Sequence, residues 1–382
     1  MITFEKVSKR YPDGTVAVDE LDLHCETGKV TVLVGTSGSG KTTTMRMINR
    51  MVDPTAGRIL LDGEDIARRD PVRLRRGMGY VIQQAGLFPH RTVVDNIATV
   101  LVLLGARRRA ARLQALELMD RVGLDRSMAK RYPYQLSGGQ QQRVGVARAL
   151  ASDPPVLLMD EPFSAVDPVV RADLQNELLR LQADLAKTIV FVTHDIDEAI
   201  RVGDRVAVFR TGGQLVQVDT PDRLLAAPAD DFVAGFLGAD RGIRRLAFAT
   251  TAGLALRTPT VAVLGASAAD VLAAAAQAED RWVLVVDADR RPQGWLQADR
   301  LASETQVEKD LVQPLGHVFT PGSDSLRTAL DASALSPDGR AAAVDGEGRL
   351  LGVASGSDIA TAIAADLRQL ERGESARHRP GR

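Results

Sequence analysis

A chain of 382 residues, 45% of them apolar and 25% charged, is too long for one ordinary domain and apolar enough to fill two cores. Its net charge is −1, and acidic and basic residues balance on both sides of residue 241, so neither half is a basic nucleic-acid surface or a polybasic membrane anchor. The lone cysteine, Cys25, excludes a disulfide within the chain, fits a reducing compartment, and reads as a small apolar residue rather than a reactive thiol.

Residues 2–7 alternate as a strand, with no leader-like apolar stretch before them. Residues 29–34 are rich in β-formers and run into Gly35-Thr36-Ser37-Gly38-Ser39-Gly40-Lys41-Thr42, and 41–50 then read as a helix. Strand, glycine loop and helix in that order form a phosphate-binding loop. A triphosphate carries about four negative charges, and Gly35, Gly38 and Gly40 let the backbone aim successive N–H groups at them. The helix N-terminus adds its dipole and Lys41 a point charge.

Residues 92–105 and 107–122 read as helices. Arg107, Arg108, Arg109 and Arg112 form a charged run on the second, read as a solvated helical face rather than a phosphate or lipid patch. The longest mostly apolar runs, such as 92–106 with its Asp95, fall short of the ~20 residues that a membrane span needs. Ser137 is placed to cap a helix over 139–151, and Asp167 and Pro168 stand as N-cap and first residue of another. On the latter, Val170, Leu174, Leu178, Leu181 and Leu185 keep one apolar face. Val156-Leu157-Leu158-Met159-Asp160-Glu161 puts two carboxylates at the end of a buried strand, and 188–192 and 205–209 are further buried-strand runs. The first half is therefore α/β with a largely parallel core sheet, and an antiparallel part is expected within 1–30.

Past residue 241 the texture changes to an internal repeat. Trp282-Val283-Leu284-Val285-Val286-Asp287 leading to Gly294-Trp295-Leu296 is echoed by Ala341-Ala342-Ala343-Val344-Asp345 leading to Gly352-Val353-Ala354. Each copy follows a helix-like stretch, 268–279 and 324–334, and precedes another near Asp299 and Asp358.

The glycine loop, then Leu136-Ser137-Gly138-Gly139-Gln140, then the strand ending in Asp160-Glu161 resemble one superfamily, the ATP-binding-cassette (ABC) ATPases. The resemblance implies an ABC-type P-loop NTPase domain over 1–240, with a parallel core sheet, an antiparallel β part, a helical subdomain and a helical tail at 218–238. The second half resembles an α+β tandem CBS domain at 241–370, with modules at about 243–304 and 311–366, or else is an unrelated α+β appendage. Residues 371–382 are expected to be a disordered tail.

The implied cofactors are ATP and Mg²⁺. By resemblance Gly35, Thr36, Ser37, Gly38, Ser39, Gly40, Lys41, Thr42 and Thr43 cradle the phosphates, and Thr42, Gln83 and Asp160 serve the metal. Glu161 is the general base, and His194, in Phe191-Val192-Thr193-His194-Asp195, the switch histidine. Gln84 follows Gln83 and leaves the Q-loop assignment open by one residue. Tyr11 resembles the aromatic that stacks on adenine, or else is a core tyrosine. Ser137, Gly138, Gly139 and Gln140, with Asp167 of the D-loop Ser164-Ala165-Val166-Asp167, contact the nucleotide held by a second ATPase subunit, so a nucleotide-sandwich dimer is implied. Val166 stands where the family has leucine.

Residues 1–240 closely resemble the quaternary-amine osmoprotectant importers, those for glycine betaine, choline and carnitine. Thr42-Thr43-Thr44-Met45-Arg46-Met47-Ile48-Asn49-Arg50, Glu161-Pro162-Phe163 and Thr193-His194-Asp195-Ile196-Asp197-Glu198-Ala199 carry that likeness. It implies a peripheral subunit on the cytoplasmic face of the inner (plasma) membrane. Its permease would dock on 83–92, which includes Gly86-Leu87-Phe88-Pro89-His90, and an extracytoplasmic binding protein would complete the transporter. No nucleic acid is expected. Importers of another solute, such as an amino acid, and ABC ATPases outside transport are the alternatives. Gly352-Val353-Ala354-Ser355-Gly356-Ser357-Asp358 resembles a CBS nucleotide site, with Ser355 for a phosphate and Asp358 for ribose hydroxyls of an adenine or cyclic dinucleotide. Ser355 and Asp358 read equally well as a helix cap.

Overall fold

A computed structural model describes residues 1–83, 86–164, 166–277, 281–301 and 306–377, the last nine by backbone alone. The chain divides into two compact units, Met1–Ala239 and Asp240–Arg382.

The first unit holds two sheets. The smaller is antiparallel, in the order Val16–Cys25, Ile2–Arg10, Ala56–Leu61, Glu64–Asp65. The expected antiparallel part is thus present, and it recruits 56–65 as well. The larger sheet runs Gln214–Asp219, Arg205–Arg210, Val30–Gly35, Thr188–Thr193, Val156–Asp160, Met78–Val81. All its pairings are parallel except the hairpin at the Gln214–Asp219 edge. Every residue of Val30–Gly35, Val156–Asp160 and Thr188–Thr193 is buried, as expected for parallel strands covered on both faces.

Side chains alternate between the two faces. Val30, Val32 and Val34 pack into a core with Val93, Ile97 and Leu118 of the helical part. Leu33 faces the other core, with Met45, Met47 and Ile48 and with Ile2 and Phe4 of the antiparallel sheet. Cys25 lies in that second core, where burial pushes its thiol up to about 12.

The helices Val93–Leu103, Arg108–Arg121 and Gly138–Leu150 pack together as the helical part. Arg107, Arg108 and Arg109 are exposed, and Arg112 pairs with Asp95 through two hydrogen bonds of 2.8 and 2.9 Å. The expected helical tail at 218–238 needs correction at its start. Gln214–Asp219 is a strand, because Val218 pairs with Ala207 across the hairpin, and helix begins only at Pro221–Ala226 and Asp231–Leu237.

In the second unit the sequence repeat is a repeat of structure. Val261–Val263, Trp282–Val286 and Pro292–Gln297 form one three-stranded sheet, and Val318–Phe319, Arg340–Val344 and Leu350–Ser355 another. In each, the first pairing is parallel and the second antiparallel. Both hairpins turn on an aspartate: Asp287 accepts from the N–H groups of Asp289 and Arg291, and Asp345 from those of Glu347 and Arg349. The copies diverge after the last strand. The expected helix near Asp299 is a single 3₁₀ turn, Ala298–Arg300, whereas Gly356–Arg377 is a long helix. That helix also corrects the expected tail, since 371–377 are helical and 378–382 lie outside the described residues.

Candidate nucleotide site

Parallel pairing puts four strand ends side by side. Val34 pairs with Thr193, Val192 with Asp160, and Met159 with Val81. The residues that follow those strands therefore emerge at one edge: the glycine loop, His194, Glu161 and Gln83. A crevice outside the carboxyl ends of such strands is where this class of sheet binds ligands.

The glycine loop is fixed by close backbone approach. A Cβ on Gly40 would lie 1.9 Å from the Ala17 carbonyl, and one on Gly35 would lie 2.2 Å from that of Phe209. Gly40 is left-handed at φ 86 and precedes the helix Lys41–Ile48. Lys41 is 6% exposed, and its ammonium donates to the carbonyls of Gly35 and Thr36 at 2.9 and 2.8 Å and to Ser39 Oγ at 3.3 Å. Burial lowers its pKa, against the pull of the Glu161 and Asp160 charges.

Asp160 is likewise buried, and loss of water raises its pKa, opposed first by the hydrogen bond that Thr42 Oγ1 donates at 3.1 Å. Glu161 has the left-handed φ of 44, a strained value for a side-chain-bearing residue, with its N–H held on the Val192 carbonyl at 2.9 Å. Its carboxylate is gripped from both sides. Gln83 Nε2 donates to Oε2 at 3.0 Å, and His194 Nδ1 lies 3.0 Å from Oε1. Against a carboxylate acceptor, Nδ1 carries the proton, which turns Nε2 away from Glu161.

These groups line one cleft of about 650 Å³ with Ser37, Gly38, Ser39, Gly40, Thr42 and Thr43. The cleft also takes in Thr15, Val16, Ala17 and Arg46, which the motifs do not mark. Arg46 could have been found from its spacing, one helical turn after Thr42. Thr15 precedes, and Val16 and Ala17 begin, the strand Val16–Cys25, and they carry no such signal. The Tyr11 ring is exposed rather than part of the core, with its hydroxyl 3.5 Å from Thr43 Oγ1. Gln84 and Ala165 lie outside the described residues.

Ser137, Gly138, Gly139, Gln140 and Asp167 are not among the described residues that line this cleft. Ser137 and Gln140 cap Gly138–Leu150 reciprocally, at 3.3 and 3.0 Å, and Asp167 caps Pro168–Leu185. Gly139 packs against Val170, where a Cβ would come within 2.5 Å of a methyl. Ser137 and Gly138 are exposed at the helix start.

In the second unit Ser355 and Asp358 form a reciprocal cap. The Ser355 N–H donates to Asp358 at 3.0 Å, and the Asp358 N–H to Ser355 Oγ at 3.2 Å. Arg257 donates to both Asp358 oxygens at 3.0 and 2.9 Å and, with Ser355, holds that carboxyl well below the usual range. Asp299 accepts instead from the Gln297 side-chain amide at 3.0 Å.

Comparison with known proteins places this geometry. A family model described as "ABC transporter" matches residues 18–164. The chain is 42% identical over 371 residues to the osmoprotectant import ATP-binding protein OsmV of Salmonella typhimurium, spanning 96% of this chain and 97% of that one. It is 52% identical over 244 residues to the choline transport ATP-binding protein OpuBA of Bacillus subtilis, 64% of each chain. Among solved structures, the dimeric post-hydrolysis state of the ATP-binding cassette MJ0796 bound to ADP and Pi is similar at 33% identity and a TM-score of 0.53, covering 58% of this chain and 99% of that one.

Proposed function

The chain belongs to the ABC transporter ATP-binding subunits, and we propose that it hydrolyses ATP to drive import of a quaternary-amine osmoprotectant such as glycine betaine, choline or carnitine. The observation that carries the reading is the grip of Gln83 and His194 on Glu161, beside the Asp160–Thr42 pair. The relatives' names supply the substrate class.

The residues then take these tasks. Loop N–H groups and the ammonium of Lys41 hold the β- and γ-phosphates, and the charge of Lys41 acts strongly because it is buried. Glu161 accepts a proton from water as the water oxygen bonds to the γ-phosphorus and the bond from that phosphorus to the β–γ bridging oxygen breaks, releasing ADP and phosphate. His194 and Gln83 fix the carboxylate so that one oxygen faces the water.

Thr42, Gln83 and Asp160 offer only oxygen donors in a cleft already lined by buried carboxylate, a set that fits Mg²⁺. Bound there, the ion would neutralise phosphate charge. Residues 83–92 would meet the permease. Ser137, Gly138, Gly139, Gln140 and Asp167 would complete the site of a second copy, a reading supported by their place outside the cleft of their own chain. Residues 241–370 would act as a CBS-type regulatory unit, and the place of the chain at the inner face of a membrane would come from its partners.

Reconstitution with the cognate permease and binding protein tests the substrate. ATP-dependent uptake of labelled glycine betaine, choline or carnitine, abolished by Glu161→Gln, is the expected result. Uptake of an amino acid with none of the three amines would overturn the osmoprotectant reading.

A further inference from the structure

The hairpin of Arg205–Arg210 and Gln214–Asp219 does more than edge the sheet. Three consecutive residues before and in its turn touch the phosphate loop or the end of the cassette. The Phe209 carbonyl occupies the space that a Gly35 side chain would need. Thr211 Oγ1 lies 3.1 Å from Thr36 Oγ1, a hydroxyl pair that joins the turn to the loop. The turn also reaches the far end of the loop. A Gly213 Cβ would lie 2.2 Å from the Ala17 carbonyl, the same oxygen that abuts Gly40, and the Gly213 carbonyl accepts from the Asp19 N–H at 3.2 Å. Between them sits Arg210. It donates to Asp230 Oδ2 at 2.6 Å, and its guanidinium lies 4.8 Å over the Phe232 ring. Asp230 is the N-cap of Asp231–Leu237, the last helix before the unit ends at Ala239.

We propose that Thr211 and Arg210 are positioning residues for the phosphate loop, and that Asp230 sets them from the last helix of the cassette. This rests on the reading of the loop as the ATP site. Loop N–H groups must converge before the nucleotide arrives, and any disorder they lose on binding weakens affinity. Thr211 holds the outer wall of the loop at the Thr36 hydroxyl, while the Thr36 carbonyl accepts from the Lys41 ammonium on the inner side. Arg210 fixes the backbone that carries Thr211 to a helix whose other end is the cassette's exit. A shift of that helix is therefore transmitted to nucleotide affinity through Asp230, Arg210 and Thr211. The ion pair is half exposed and contributes little to stability, so its effect belongs to loop position.

The test uses the full chain and a fluorescent ATP analogue, with turnover measured in the reconstituted transporter. Thr211→Val and Thr36→Val each remove one hydroxyl of the pair and should weaken nucleotide binding and raise KM for ATP about fivefold, the scale of one lost hydrogen bond, with kcat little changed in Thr211→Val. The double variant should be no weaker than either single one, because both remove one interaction. Thr211→Ser should restore wild-type affinity. Asp230→Asn keeps a cap but loses the charge and should raise KM in the same sense, with an unchanged melting temperature. Unchanged affinity in Thr211→Val, additive losses in the double variant, or a fall in kcat at constant KM would overturn the proposal. A wild-type chain that binds the analogue without turning over ATP would instead defeat the ATPase reading, and the affinities would still decide the brace.

Discussion

Glu161, the proposed general base, is also a strained residue. Its left-handed backbone costs on the order of 1–3 kcal/mol, and the strand end tolerates it because Val192, Gln83 and His194 hold the residue on three sides. Glu161→Gln keeps the shape and removes the proposed base. Turnover should fall by about 10²–10⁴-fold with ATP binding intact, measured as phosphate release against nucleotide affinity. Normal release would remove Glu161 from the mechanism. Asp160 makes the opposite trade. Its folded pKa is raised by burial, so it contributes stability only while protonated, fully below the ordinary carboxylate value and lost as pH rises through the folded one. At neutral pH its charge therefore opposes folding. Asp160→Asn should raise the melting temperature of the nucleotide-free chain by ~2–4 °C at pH 7, a gain that shrinks as pH falls toward 4, while abolishing turnover. A melting difference independent of pH would show that Asp160 does not titrate in this way.

At the scale of elements, what decides a function is which strand ends become neighbours. The motifs of the first unit are legible because each pairs a strand with a loop of fixed chemistry, and parallel pairing then sets Gly35, Gln83, Asp160, Glu161 and His194 along one edge. Thr15, Val16 and Ala17 were not legible, because their role comes from the antiparallel sheet packing over the glycine loop. The expected helical tail at 218–238 overlaps the end of the strand Gln214–Asp219, which forms because Arg205–Arg210 offers it a partner that the local sequence does not show. In the second unit the doubled aspartate turn was legible as a repeat, whereas the unequal helices after it were not. Ser355 and Asp358 show how a ligand pattern and a helix cap share the same residues. With both carboxylate oxygens engaged by Arg257, Asp358→Ala should lower the melting temperature of residues 240–382 within the full chain, and Asp299→Ala should not. Calorimetry with adenine nucleotides separates the two roles. A binding loss confined to Asp358→Ala favours a ligand site there, and lower melting with no nucleotide binding leaves the cap as its role.

Over the whole molecule, the proposed nucleotide site leaves the Ser137–Gln140 run outside the cleft of its own chain. The cleft brings together the glycine loop, Gln83, Asp160, Glu161 and His194, while Ser137 and Gly138 present an exposed helix start elsewhere on the same unit. A symmetric pair in which each cleft is closed by the other chain's Ser137–Gln140 run resolves this, because an isologous contact makes two such sites at once. Mixing variants tests it without relying on the stability of a closed dimer. Ser137→Arg spoils the helix start and keeps the loop, and Lys41→Ala spoils the loop and keeps the helix start. Each alone should be inactive. In a mixed dimer one site joins two intact parts and the other joins two broken ones. Equal mixing should restore at most roughly a quarter of wild-type turnover, half the dimers being mixed and half their sites intact. Recovery that grows with the fraction of mixed dimers supports sites shared between chains. If the mixture stays as inactive as its components while both variants still enter the transporter, the helix start of Ser137 acts on its own chain or not at all.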